Sequence, residues 1–344
     1  MVLGLDLNLN SADRNYAVNL VRATCRLAGS PSYLDDLRTD LRNRGVAKAV
    51  ERHDTAAIFD WLVEVLSFQG VSDTVAAGYM RQHGLATWRK IEKNLGKSPS
   101  CPKLKSYWHF EGCRYHKSSG TCAEPDHFSA CPLPTHRLRN GGLNQLAYSL
   151  FLFCRDIAGG DLVAWLDSRL AETDWPGAPD RVGRMREAVL GPLRHVYGAS
   201  DKVLSVALSN LLLGGGPDRD RWAEVGAAMI AIDTLVHNFL HRTGILARLN
   251  ATHPYGPACY RPAGCADIIA RIAASIDARE FNPEFPAAFP RVVQSSIWRH
   301  CAQEVFDVCN GNRIDDTQSC SNAYCRLYRL CDRIPLDAPR PKAA

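Results

Sequence analysis

A chain of 344 residues with 46% apolar and 22% charged residues is long enough to bury a substantial core and too apolar for an extended disordered polymer. A formal charge of +5 and a pI near 8.5 permit a polyanionic partner without demanding one. Met1 to Asn10 shows neither a basic start nor a long apolar run, and no segment offers the roughly 18 consecutive apolar residues of a membrane helix, so the chain reads as cytoplasmic with no membrane partner.

Apolar residues recur at helical spacing wherever a period is visible. In chain order, Ile58, Leu62, Val65 and Leu66 predict one helix, Leu143, Leu146, Leu150 and Phe153 a second, and Leu204, Leu208, Leu211 and Leu212 a third. Breakers at Ser98-Pro99, Pro132 to Pro134, Asn140 to Gly142, Trp175 to Pro179, Gly214 to Pro217, His253 to Pro262 and Asn282 to Pro290 cut the chain into blocks of about ten to twenty residues, a usual helix length. No stretch alternates as a strand does, and an all-α protein is predicted. Its segments are N-terminal helices over 1–100, a Cys-rich insert over 101–136, a helical body over 137–300, a Cys-rich loop over 301–334 and a disordered tail over 335–344.

Thirteen cysteines in a cytoplasmic chain point to metal or cluster ligands rather than disulfides. Cys101, Cys113, Cys122 and Cys131 fall in the insert, which is rich in Lys, His, Gly, Ser and Pro and too poor in aliphatic residues to order itself around a core. A bound group would supply that order: zinc, with His109, His116, His127 or His136 able to replace one cysteine, or an iron–sulfur cluster. Cys309, Cys320, Cys325 and Cys331 form a second set near the C-terminus, with Cys301 as a substitute for Cys309, and Cys259 and Cys265 read as ordinary buried thiols.

Between the two sets lies an Arg-rich helix with Arg181, Arg184, Arg186 and Arg194, a turn at Tyr197-Gly198, a helix starting near Ser200 with Lys202 in its first turn, a Gly-rich break, and a helix starting near Asp233 in the frame Ile232-Asp233-Thr234-Leu235-Val236. This order resembles the helix-hairpin-helix (HhH-GPD) DNA glycosylase superfamily, in particular its lyase members of the endonuclease III and archaeal 8-oxoguanine glycosylase kind. The segment Phe59 to Asp73 also resembles that family's early helix and the loop after it, ending in Gln69. The likeness spans roughly residues 55 to 335, and the 101–131 insert lies outside the family pattern.

The resemblance implies a two-lobed helical fold and a bifunctional DNA glycosylase and AP lyase acting on double-stranded DNA as a monomer. A monofunctional glycosylase or a non-catalytic, metal-stabilised DNA-binding protein are the alternatives. Lys202 would be the nucleophile and Asp233 its electrostatic partner. Gly198 and Ser200 would belong to the hairpin that holds a DNA phosphate, Gln69 would fill the gap left by the extruded base, and His237 would face the DNA. Cys309, Cys320, Cys325 and Cys331 would hold a structural [4Fe–4S] cluster, with zinc as the next choice. The chemistry suits these residue types: a damaged base must leave the stack before its sugar can be attacked, and an amine attacking C1′ leaves a Schiff base that permits strand cleavage.

A rival reading comes from the residues alone. Asp233, His237 and His241 fall four residues apart on one helical face, the pattern of a metal-hydrolase triad.

Overall fold

All twelve apolar residues that marked helices in the sequence are buried in helices. The structure, a computed structural model, describes residues 11–67, 73–96, 99–116, 118–135, 142–216, 218–310 and 314–336. Its α-helices are, in chain order, α1 (Ser11–Ala28), α2 (Tyr33–Asn43), α3 (Val46–Glu51), α4 (Thr55–Ser67), α5 (Asp73–His83), α6 (Trp88–Leu95), α7 (Tyr107–Phe110), α8 (Gly142–Asp156), α9 (Leu162–Thr173), α10 (Arg181–Leu193), α11 (Asp201–Gly215), α12 (Asp220–Ala228), α13 (Thr234–Arg242), α14 (Ile245–Arg248), α15 (Cys265–Ala273) and α16 (Pro290–Cys301). Among the described residues there is no strand, and one isolated bridge joins His116 to Thr121. The protein is all-α. No described helix is long and apolar enough to cross a membrane.

The chain divides into two units. One comprises Leu34–Gly226, and the other joins the described residues through Tyr33 to those from Ala227 on. These units cut across the expected segments 1–100 and 137–300. The reason is packing that no local pattern encodes: α1, with Leu20 and Val21 buried, lies against α16, whose Val293 and Ile297 are buried in turn.

In the middle unit α4 packs on α8 and α11, and Leu62, Leu66, Leu150, Leu204 and Leu208 meet in its interior. Each such buried leucine contributes about 1.5–3 kcal/mol. Aspartate caps start the flanking helices: Asp161 accepts from Ala164 N at 2.9 Å at the head of α9, and Asp180 accepts from Gly183 N at 3.2 Å at the head of α10. The Cys-rich insert belongs to this unit and is built from short pieces docked on α8. Tyr107 N donates to Asp156 Oδ2 at 2.8 Å, Arg155 Nη2 donates to Lys105 O at 2.8 Å, and the Tyr107 and Phe153 rings meet edge to face at 5.5 Å.

In the unit made from the chain ends, α13, α15 and α1 surround α16. The Cys-rich segment after α16 folds back on α13, where Ile334 N donates to Arg242 O at 2.8 Å. Arg248 ties it further, binding both carboxylate oxygens of Asp332 at 2.7 and 2.8 Å. Leu336, expected in the loose tail, is held in place, its N donating to Asp316 O at 2.9 Å, and residues 337–344 lie outside the described ones.

Candidate functional site

Asp233 stands at the head of α13, where its carboxylate accepts from Val236 N at 2.9 Å. One turn on, His237 is buried, and the chain returns to its ring three times. His253 comes from the connection after α14, Cys259 from the 3-10 turn Pro257–Tyr260, and Cys265 from the first residue of α15. One ligand atom from each of the four lies within 4.8 Å of the others. His237 Nδ1 is 3.3 Å from Cys265 Sγ and 3.5 Å from Cys259 Sγ, and His253 Nε2 is 3.3 Å from Cys265 Sγ. The hydrogen bond between the two sulfurs lowers Cys259 and raises Cys265.

Gly264 makes the convergence possible. A Cβ there would sit 2.3 Å from Ala258 O, so only glycine lets α15 start this close to the turn that carries Cys259. This group could hold a metal ion. Cys259 and Cys265, expected from sequence to be ordinary buried thiols, are buried and belong to this group.

The triad Asp233, His237 and His241 is not assembled. Asp233 accepts the amide at the head of its own helix, His237 faces the sulfurs, and His241 Nδ1 is buried with no hydrogen-bond partner among the described residues. A buried His237 whose Nδ1 touches two sulfurs is also poorly placed for the DNA contact expected of it.

Cys309, Cys320, Cys325 and Cys331 line one small cavity, of about 20 Å³, together with Arg242 and His300. Arg242 is 2% exposed and ion-pairs with Asp316, yet its Nη1 has no partner among the described residues. A buried guanidinium with donor capacity to spare fits an anionic guest held by four thiolates. Burial lowers His300 to about 4, so the ring beside Cys325 is neutral. Cys309 lines this cavity, and Cys301, its expected substitute, is a fully buried α16 residue hydrogen-bonded to Cys309.

Cys101, Cys113, Cys122 and Cys131 line a second small cavity, of about 20 Å³, with Tyr115 and His127 at its wall. Burial raises Cys113, and raises Cys131 to about 11. His136, one of the expected substitutes, lies outside the described residues. Among the described residues, ligand atoms converge within 4.8 Å at the mixed His/Cys group, whereas each cysteine quartet rings a cavity.

Gly198 has φ +78°, a left-handed turn with open space around its Cα. The chain then passes Ser200, at the N-cap position of α11 with φ −104° and ψ 156°, and places Lys202 second in the helix, partly exposed. Arg194 Nε donates to Asp201 at 2.7 Å, joining the Arg-rich helix to this turn. Lys202 belongs to the middle unit and Asp233 to the unit of chain ends. Gln69 lies outside the described residues.

The His253 to Pro262 stretch reads in sequence as a mere breaker, and its ligands lack the close Cys-x-x-Cys pairing that advertises a metal site. The available signal was three histidines and two cysteines within 29 residues, 237 to 265.

Comparison with protein-family models, with curated proteins and with solved structures gives no match.

Proposed function

We propose that this chain is a DNA glycosylase of the helix-hairpin-helix kind with AP lyase activity, acting on a damaged or modified base in double-stranded DNA. The observation that carries it is local: a left-handed glycine at Gly198 leads into α11 with Lys202 in the first turn, and Asp233 caps α13. These are the backbone settings that the motif frames require. Further support comes from the four cysteines that ring a cavity behind α13.

In this reading the Lys202 amine attacks C1′ of an extruded nucleotide and the base departs with its bonding electrons. Asp233 stabilises the cationic sugar as the bond breaks. Cleavage of C1′–O4′ with loss of the amine proton opens the sugar to a Schiff base on Lys202, and removal of a C2′ proton then expels the 3′ phosphate by β-elimination. Ser200 and Gly198 would contribute to a phosphate contact that holds the duplex without reading sequence.

Cys309, Cys320, Cys325 and Cys331 would hold a [4Fe–4S] cluster that fixes the C-terminal segment on α13. Cys101, Cys113, Cys122 and Cys131, which also ring a cavity rather than converge on one point, would hold a second cluster in preference to a single zinc ion.

Borohydride trapping on duplexes carrying different damaged or modified bases tests this reading, with Lys202→Ala as the control. A covalent adduct on one substrate, absent from the variant, is expected. Base release without an adduct would make the enzyme monofunctional, and no release on any duplex would favour a DNA-binding protein without catalysis.

A further inference from the structure

We propose that His237, His253, Cys259 and Cys265 bind one structural zinc ion that staples the 250–264 connection to the head of α13. The distances match a single tetrahedral ion. Zinc bonds of ~2.3 Å to sulfur and ~2.0–2.1 Å to nitrogen give a tetrahedron whose nitrogen-to-sulfur edges are about 3.5 Å, and the observed edges are 3.3, 3.3 and 3.5 Å.

Hydrogen bonding alone does not account for the group. His237 Nδ1 touches both sulfurs, and an imidazole nitrogen has one proton or one lone pair, so it cannot serve two thiols equally. A central cation serves all four atoms at once. The tautomer of His253 is also set for it: Nδ1 lies 2.6 Å from Ala251 O and so carries the proton, which leaves the Nε2 lone pair facing Cys265. Metal-binding histidines are commonly oriented in this way by a carbonyl on the far nitrogen.

The arrangement distinguishes zinc from a two-iron cluster with the same ligand types. There the histidines bind one iron and the cysteines the other, so nitrogens and sulfurs would stand on opposite sides. Here they interleave, each histidine against a sulfur, with all four atoms within 4.8 Å. Four protein ligands close the coordination shell, which makes the ion structural rather than a site of reaction.

What the ion would hold is clear from the chain it joins. The connection carries Pro254, Pro257 and Pro262, a Gly256 at φ +139° and an Ala263 at φ +61°, with no regular helix longer than the 3-10 turn Pro257–Tyr260. Tyr260 from that turn reaches Ile232, the residue before Asp233, and bonds its backbone N at 2.8 Å. The ligands are therefore positioning residues for the segment that bears Asp233. Only this last consequence rests on the proposed glycosylase activity.

The test uses the full chain, purified without chelator, with zinc and iron counted separately and the zinc environment read by X-ray absorption. One zinc per chain is expected, with two sulfurs at ~2.3 Å and two nitrogens at ~2.0–2.1 Å. Cys259→Ser with Cys265→Ser should lose that zinc and keep the iron. Cys259→His should keep zinc with one sulfur and three nitrogens, which guards against a variant that merely misfolds. Hydrogen exchange in 250–264 and at Val236 N should rise in chelator-treated protein while α9 is unchanged. A folded chain that neither contains zinc nor takes up added Zn²⁺ would overturn the site, as would zinc surrounded by four sulfurs. Unchanged exchange after zinc removal would overturn the staple. All these readings are made without DNA, so they stand or fall separately from base excision.

Discussion

Tyr260 Oη lies 2.8 Å from Ile232 N and 3.3 Å from Ile232 O, accepting from the one and donating to the other. Both backbone groups of Ile232 are thus satisfied by one phenol, and the chain entering Asp233 is held by a side chain from the metal-binding connection. Tyr260→Phe keeps the ring and removes both bonds. We expect a loss of about 1–3 kcal/mol, the usual cost of stranding partly buried backbone groups, read as a lower urea midpoint with unchanged slope. A midpoint equal to that of the native chain would show that water replaces the phenol.

Substitution can separate the capping role of Asp233 from the catalytic role proposed for it. Asparagine caps a helix about as well as aspartate, whereas alanine costs about 1 kcal/mol. Asp233→Asn should therefore keep the Val236 bond and nearly native stability while base release falls by about a hundredfold or more, the scale for losing one electrostatic contact to a developing charge. Asp233→Ala should lose both. Comparable activity in Asp233→Asn and the native chain would confine the residue to capping.

The pH dependence of stability has a visible contributor at Asp174, whose carboxylate is lowered to about 2 by hydrogen bonds from Arg181 and Arg221. An unfolded aspartate titrates near ~3.9. Because the folded value is the lower, the stabilisation is fully present above that unfolded value and is lost as pH falls through about 2. Urea midpoints measured from pH 6 down to about 2 should drop less steeply for Asp174→Asn than for the native chain. Parallel curves would mean that the arginine pair contributes nothing in solution.

The C-terminal quartet makes a prediction about iron. Cys320→Ser removes one of four thiolates around a cavity that also holds the buried Arg242. The native chain should be brown, and the variant should lose the iron assigned to this quartet while its zinc content stays at one per chain. Since a buried cation would then face an empty space, the variant should also unfold at lower urea. Retention of full iron and colour would assign all of the iron to the insert.

Much of the helical frame was legible without coordinates. Apolar spacing located α4, α8 and α11, because a buried helical face repeats along the chain and needs no distant partner to be seen. The two cysteine quartets were legible for the same reason: each set lies within one short stretch, and a stretch too polar to form a core needs another source of order. The start of α13 near Asp233 was legible from its local frame.

The mixed metal group was decided by tertiary structure alone. His237, His253, Cys259 and Cys265 come from a helix, an irregular connection, a 3-10 turn and the next helix, and no fixed spacing links them. They converge because Gly264 lets α15 start against the turn that carries Cys259. The division into units was equally hidden, since the pairing of α1 with α16 joins residues more than two hundred positions apart. Periodicity records which face of an element is buried; which distant element buries it depends on how the whole chain closes its core.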